Sequence, residues 1–505
     1  MKSLAVLSLG GMLWTAGCLN SADQAGEASE TDEVASEAQA SQLDESFEDV
    51  VARRCDDHNR MANNVPVRDD SGAYTSVSSH GFIDLNNEFF QDLGGNGRRC
   101  VACHVPTAGW TITPKQLKAT FEETEGGKFD DGLGLSSVFR TNDGANSPNA
   151  DVSTKAKRRQ AYSMLLDKGL VRVGLAVPAT AEFELVAVDD PYHFASAAEL
   201  SLFRRPLPTA NLKFDSTVMW DGREVVPGAS VASELLTQAN DAVMGHAHGP
   251  ALSAAQRQSI VDFELSLASA QIIDHEAGDL REAGAKGGPE QILAQPFYVG
   301  INDNFGDSRT GAAFTQNVFT LFDSWTNAKA GRHDDRHGYE GRKAEARQAI
   351  ARGQALFNTH KIVISGVSGI NDEAAFGKPA AITGTCSTCH NTPNGGNHSV
   401  VAPLNIGLVD ASRRTKDMPL YTLRNKTTGE TVQVTDPGRA MVDGKWSHIG
   451  RFKGPMLRNL APRAPYFHNG FAADLNAVVD FYNDRFHIGF TKQEKSDLVA
   501  FLRSL

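Results

Sequence analysis

Two pentapeptides carry the residue types and spacing that covalent cofactor chemistry needs. Cys100-Val-Ala-Cys-His104 and Cys386-Ser-Thr-Cys-His390 both read C-x-x-C-H, the spacing of c-type haem attachment. Two thiols add across the two vinyl groups of one porphyrin, and the adjacent histidine reaches the metal from below. One turn of chain must span the macrocycle edge, which is why the spacing is fixed. Together the motifs use four of the six cysteines. A thioredoxin-like redox pair would place one C-x-x-C on a βαβ unit. A shared zinc site would need pairs 286 residues apart to meet at one metal. Two covalently bound haem c groups are therefore expected. Cys100, Cys103, Cys386 and Cys389 attach them, and His104 and His390 are the proximal iron ligands.

The other two cysteines concern location. After Met1-Lys2, the apolar run Leu4 to Trp14 is too short to span a membrane and has the length of a signal h-region. Thr15-Ala16-Gly17-Cys18 resembles a bacterial lipobox, so residues 1–18 read as a lipoprotein signal peptide with Cys18 as the lipidated residue. Leu19, not Asp, follows it, which favours the outer membrane. An ordinary secretory signal would give the same compartment. Haem attachment takes place outside the bacterial cytoplasm, so both signals agree on the periplasm, with acyl chains as the membrane anchor. Cys55 is left over, either a free buried thiol or one that makes an intermolecular bond.

Residues 19–50 hold ten acidic side chains and no Lys or Arg, and read as a disordered acidic tether. The chain carries −12 in all, of which the tether accounts for −10, so the folded body is nearly neutral. Nothing there forms a basic nucleic-acid footprint.

The elements that must position the motifs read mainly α, as two cytochrome c-like haem domains with loop insertions and minor β-structure. Residues 51–274 surround the first motif and 341–505 the second. Residues 275–340, rich in Gly, Asp and Asn, read as an inter-domain excursion. Thr491-x-x-Glu494 is a capping box opening Lys492–Leu505, and Asp474 precedes a helix from Leu475 to about Tyr482. Ser253 caps a helix through about Gln271, and a further helix fits Arg342–Phe357. Leu170–Val177 and Phe183–Val188 read as a hairpin around Pro178-Ala179-Thr180. Between His104 and the Met219-Trp220 pair only His193 and Met164 could supply a sixth ligand to the first iron, so its outer face is expected to be open.

Several blocks resemble the bacterial di-haem cytochrome c peroxidases and their relative MauG. They are Met219-Trp-Asp-Gly-Arg223, Phe452-Lys-Gly-Pro-Met-Leu-Arg-Asn459, Ala464-Pro-Tyr-Phe-His-Asn-Gly470, Asp480-Phe-Tyr-Asn483 and the closing helix. The resemblance covers roughly residues 85–272 and 345–505. It implies a peroxide site at the first haem and an electron-input site at the second, with Trp220 between them. It also implies a distal-pocket glutamine at Gln238 and a histidine near the peroxide pocket at His468. Tyr482, fourteen residues after His468, falls where the peroxidases place Met and MauG places Tyr as the second iron's distal ligand. Met418, Met441, Met456 and His487 are the alternatives.

Two positions depart from the family pattern. Where many members have an acidic residue about ten positions after the glutamine, this chain reads Ala242-Val-Met-Gly-His-Ala-His248, leaving His246 or His248 for proton transfer. Arg205 stands where an asparagine of an inter-domain calcium site is expected. The implied function is peroxide reduction with electrons from a small cytochrome c or cupredoxin, with a homodimer a family-level expectation. The alternatives are MauG-like oxidation of a protein or organic substrate, and a di-haem electron carrier without turnover.

Overall fold

The computed structural model describes residues 59–129, 131, 134–329 and 338–505. Cys18, the 19–50 tether and Cys55 lie outside the described residues.

Around the first motif, Phe89, Phe90, Trp110, Phe121 and Phe263 build a buried aromatic core. Four helices enclose it: Pro114–Glu123, Ser163–Lys168, Val231–Gly245 and Ala254–Ser266. Their starts are chemically marked. Thr113 caps the first with Pro114 at its opening position, Ser230 caps the third, and Ser253 with Gln256 forms a complete capping box on the fourth.

Around the second motif, Tyr339–Thr359, Leu475–Arg485 and Lys492–Arg503 pack together. The Thr491–Glu494 capping box is present on the closing helix, and Asp474 caps the helix before it. Phe319, Phe357 and Phe501 meet edge to face beneath them.

Strands are more prominent than "minor β-structure" suggests: ten α-helices stand beside thirteen strands among the described residues. The helix expected through Gln271 ends at Ser266, and Leu267–Asp274 continues as a strand. Gly72–Ser78 pairs with that strand along its length, so the sheet satisfies the backbone groups that further helix would have satisfied.

The expected hairpin does not form, although both of its strands do. Val171–Leu175 pairs with Leu200–Arg204, and Phe183–Asp189 pairs with Leu420–Asn425 in the other half of the chain. The connector at 176–182 contains Pro178 and lacks the two-residue, positive-φ turn that closes a tight hairpin. Consequently residues 51–274 and 341–505 share a sheet.

The stretch 275–329 is not an excursion. It buries Val318, Phe319, Phe322 and Trp325 in one core with Phe357, Phe501 and Leu505. Its polar composition serves the loop after the second motif: Asn302 Nδ2 donates to Asn391 O at 3.1 Å, and Asn394 N donates to Val318 O at 2.9 Å. No helix of the described residues is long and apolar enough to cross a membrane.

Candidate haem-attachment sites

Both C-x-x-C-H segments fold the same way. Cys100–Ala102 and Cys386–Thr388 are single 3₁₀ turns. In the first, His104 N donates to Cys100 O at 3.0 Å; in the second, His390 N donates to Cys386 O at 3.1 Å. Each turn therefore brings its histidine back under its own two thiols. His104 Nδ1 faces Trp110 O at 3.4 Å and His390 Nδ1 faces Gly396 O at 2.5 Å. Donation to those carbonyls leaves Nε2 of each ring for a metal. Burial holds His104 neutral, pulling its pKa down to about 4, and lowers that of His390 in the same way. A neutral imidazole is the form that ligates. Burial likewise pushes Cys100, Cys386 and Cys389 up to about 12 and Cys103 up to about 11, which favours the protonated thiols. None is in a disulfide. The residues present fit a haem at each motif.

The second motif opens into a large apolar cavity. Cys386, Cys389 and His390 line it with Ile364, Leu404 and Phe452, and Phe357 tilts against His390 at 6.0 Å between ring centroids. The helix Leu475–Arg485 contributes Leu475, Val478, Val479 and Tyr482, the i, i+3, i+4, i+7 stripe of one helix face. That periodicity aims Tyr482 into the cavity. Burial, with smaller contributions from the two thiols, raises the pKa of its hydroxyl. Of the alternatives, only Met456 also lines this cavity. Its methyl end lies by Gly395, on the loop that carries His390's hydrogen-bond acceptor. Met418 packs with Met164 and Phe203, Met441 belongs to another core cluster, and His487 is exposed.

Trp220 and His468 stand in the wall of the same cavity. Trp220 Nε1 donates to Arg205 O at 2.7 Å, and its carbonyl accepts from Lys453 N at 2.9 Å. The indole thus faces a region where Thr111 and Leu207, from the segments behind His104, meet residues of the second motif. His468 lines this cavity beside Trp220, at 6.2 Å between ring centroids. Phe452, held by a bridge to Leu404, lies flat against the His468 ring at 3.8 Å and 15°. Burial keeps the histidine neutral, with a pKa lowered to about 4, and its Nε2 has no partner among the described residues.

Near the first motif the structure supplies what the sequence reading lacked. Asp143 Oδ2 accepts from His246 Nδ1 at 2.8 Å, and Arg98 pairs with the other oxygen of the same carboxylate. Arg98, two residues ahead of Cys100, also bonds His246 O at 3.3 Å. Burial pushes the Asp143 carboxyl up, but the His246 hydrogen bond and the Arg98 charge outweigh it and hold it low. A carboxylate thus stands beside His246, contributed from a loop about a hundred residues before it. Gln238 sits half-buried on Val231–Gly245, about two turns before His246. His248 is exposed, with Nε2 3.4 Å from Asn142 Nδ2. His193 is exposed, and Met164 Sδ accepts from Thr415 in a separate cluster.

Glu264 was also invisible in the sequence. It lies inside the first core, its Oε2 has no partner, and burial raises its pKa to about 8. A carboxyl that holds its proton longer when folded adds stability below about pH 4.5, and that stability is lost as pH rises to about 8. Glu264→Gln should abolish this slope. It should leave the protein more stable than wild type at pH 9 by on the order of 4 kcal/mol, read from denaturant midpoints at pH 5 and pH 9.

The calcium site does not fit. Arg205 itself fills the position, donating to the carbonyls of Lys168 at 2.9 Å, Ile112 at 2.7 Å and Arg463 at 3.1 Å. Carbonyl oxygens of the kind calcium uses already face a guanidinium.

Two matched attachment turns, each with a half-buried neutral histidine, and an apolar cavity lined by the second motif make up a site of the haem-protein class. Comparison with known proteins agrees. No family model matches the chain. Over 132 residues it is 32% identical to the cytochrome-c peroxidase IdrP2 of Denitromonas iodatirespirans, covering 24% of this chain and 36% of that relative. Over 69 residues it is 41% identical to the cytochrome c551 peroxidase of Nitrosomonas europaea, covering 14% of this chain and 21% of that one. The matches thus span about a third or less of those relatives' length. A solved MauG-like protein associated with microbial copper homeostasis aligns over 88% of this chain and 92% of its own, at 16% identity and a TM-score of 0.36, too low to bear on the site. Over those segments the chain is similar to cytochrome-c peroxidases.

Proposed function

We propose that this protein reduces hydrogen peroxide in the periplasm, taking two electrons from a small cytochrome or cupredoxin and two protons from solvent to give two waters. The observation that carries this reading is the asymmetry of the two motifs. Near His104 stands a histidine–carboxylate pair suited to moving protons, while near His390 stands an apolar cavity faced by a tyrosine. A haem iron at each motif supplies one-electron chemistry and, where its outer face is free, a place for a peroxide oxygen.

The chain's own residues do the rest. Asp143 accepts the Nδ1 proton of His246 and so fixes the tautomer with a basic Nε2. That nitrogen can take a proton from one peroxide oxygen and return it to the leaving one. Trp220, held through Nε1 and its carbonyl, gives electrons an oxidisable ring on the way from the second motif to the first. His468, neutral and stacked on Phe452, adds no charge to that wall. Lipidation at Cys18 would hold the protein at the outer membrane by its tether.

The MauG-like alternative, oxidation of a protein or organic substrate, draws support from Tyr482. A phenolate ligand favours oxidised iron over reduced. One experiment addresses these readings together. EPR and optical spectra of the ferric protein, before and after one-electron reduction, should show a high-spin signal that disappears on adding peroxide. Two low-spin signals indifferent to peroxide in both states would leave only the electron-carrier reading. Tyr482→Phe should alter the low-spin signal of the second haem, and an unchanged spectrum would remove Tyr482 as its ligand.

A further inference from the structure

Three arginines are buried in the interior without a carboxylate partner among the described residues. Arg205, Arg458 and Arg463 are 5%, 0% and 8% exposed. Burial lowers their pKa values to about 9, 9 and 10, and Arg463 lowers that of Arg205 further by repulsion. Elsewhere in this protein buried cations have carboxylates: Arg204 has Asp221 and Asp436, and Lys453 has Asp215. An isolated buried charge costs several kcal/mol, of the order given for ions taken out of water. Backbone carbonyls accept from Arg205 and Arg463 but carry no net charge, so an anion from outside the chain would complete the site.

Arg205 and Arg463 both line the cavity of the second motif; Arg458 does not. Arg463 Nη2 is held by Arg458 O at 2.7 Å, while its Nε is buried with no partner. The chain makes room for both side chains. Gly169 ends the helix Ser163–Lys168 at φ +60°, and a Cβ there would lie 2.2 Å from Arg205 Nη1. Gly109 has φ +65°, and a Cβ there would lie 2.8 Å from Arg463 Cγ. A left-handed glycine at each position is what lets the arginine reach the boundary between the two motifs.

We propose that Arg205 and Arg463 form a fixed cationic site for the two carboxylate side chains of the porphyrin attached at Cys386 and Cys389. Their charge takes the place of a metal cation at the boundary between the two halves. The inference rests on the haem reading above. Its chemistry is the pairing of a planar guanidinium with a carboxylate in a site shielded from water. Two cations match two anions. Removing one cation leaves an uncompensated carboxylate near the iron, which favours the oxidised state and lowers the midpoint potential.

The test uses the full-length holoprotein. Intact mass first counts the covalent haems; fewer than two would end the haem reading, whatever the arginines do. With two attached, spectropotentiometric titration should show a lower midpoint for one haem in Arg205→Met and in Arg463→Met. Arg205→Lys, which keeps the charge, should recover most of the shift. The wild-type midpoints should not move on adding EGTA. If Arg205→Met fails to accumulate, Arg463→Met still decides. Unchanged midpoints in the methionine variants with both haems attached would overturn the proposal. So would a shift of the wild-type midpoints caused by EGTA.

Discussion

His246→Gln should lower peroxide turnover by about 10²–10⁴-fold, the usual contribution of a positioned acid–base group, while both haems stay attached. The His246 side chain is 50% exposed, so its loss should change stability by no more than about 0.5 kcal/mol. Asp143→Asn should reproduce much of the kinetic defect by a different route. The amide no longer fixes the Nδ1–H tautomer, so a smaller fraction of His246 presents a basic Nε2. That second variant also deprives buried Arg98 of its partner and should destabilise the protein, which the histidine variant should not. Steady-state turnover with a generic electron donor, alongside denaturant unfolding, separates the two effects. Undiminished turnover in His246→Gln would remove the pair from the mechanism and return the question to Gln238 or solvent.

Why this pair was only half legible in the sequence follows from how it is built. His246 is visible because it lies in a run placed by the Trp-Asp-Gly-Arg block and the helix after it. Asp143 is not, because nothing in Thr141-Asn-Asp-Gly-Ala distinguishes a catalytic carboxylate from a turn residue. Only the tertiary contact through Arg98 shows the difference. The same holds for Glu264, which reads as an ordinary polar position of a capped helix until burial is known. The second site was more legible, because its geometry is local. A 3₁₀ turn fixes Cys386, Cys389 and His390 within five residues, and the stripe Leu475, Val478, Val479, Tyr482 follows from helical period alone.

The fold divides along the same line. The cap at Ser253 and the capping box at Thr491 named two helix starts correctly because the signal lies within four residues. Strand partners could not be read, because pairing is a long-range choice. Phe183–Asp189 has the alternation of a hairpin strand, yet it pairs with Leu420–Asn425, more than two hundred residues on. The 275–329 stretch misled for a related reason. Its Gly, Asp and Asn suggested a solvated loop, while Val318, Phe319, Phe322 and Trp325 were spaced too irregularly to announce a core.

The largest loss of stability should follow from Arg204→Met. Arg204 is 2% exposed on the strand Leu200–Arg204 and joins two buried carboxylates from opposite halves of the chain. Its Nε and Nη2 grip Asp436 at 2.8 and 3.0 Å, and its Nη1 holds Asp221 at 2.6 Å. Burial alone would lower the pKa of the guanidinium, but the two carboxylates outweigh it and raise it. For Asp221, burial pushes upward while the Arg204 and Arg223 charges pull the carboxyl down. Methionine keeps most of the side-chain volume and removes the charge, so two carboxylates remain buried side by side with only the partly buried Arg223 near Asp221. Breaking such a network costs about 3–5 kcal/mol, a large part of a typical total. Asp221→Asn should cost less, because Asp436 still holds Arg204 through two bonds. The denaturant midpoint should therefore fall in the order wild type, Asp221→Asn, Arg204→Met, with the slope of the transition unchanged. Equal stability of Arg204→Met and wild type would mean that the network is not needed to join the halves. The residue before Asp221 is Trp220, and the residue after Arg204 is Arg205, whose carbonyl accepts the indole proton. A charge network that fixes one neighbour of each also fixes the bond between them. For that reason the Asp of Trp-Asp-Gly-Arg belongs to the positioning of the indole as much as to stability.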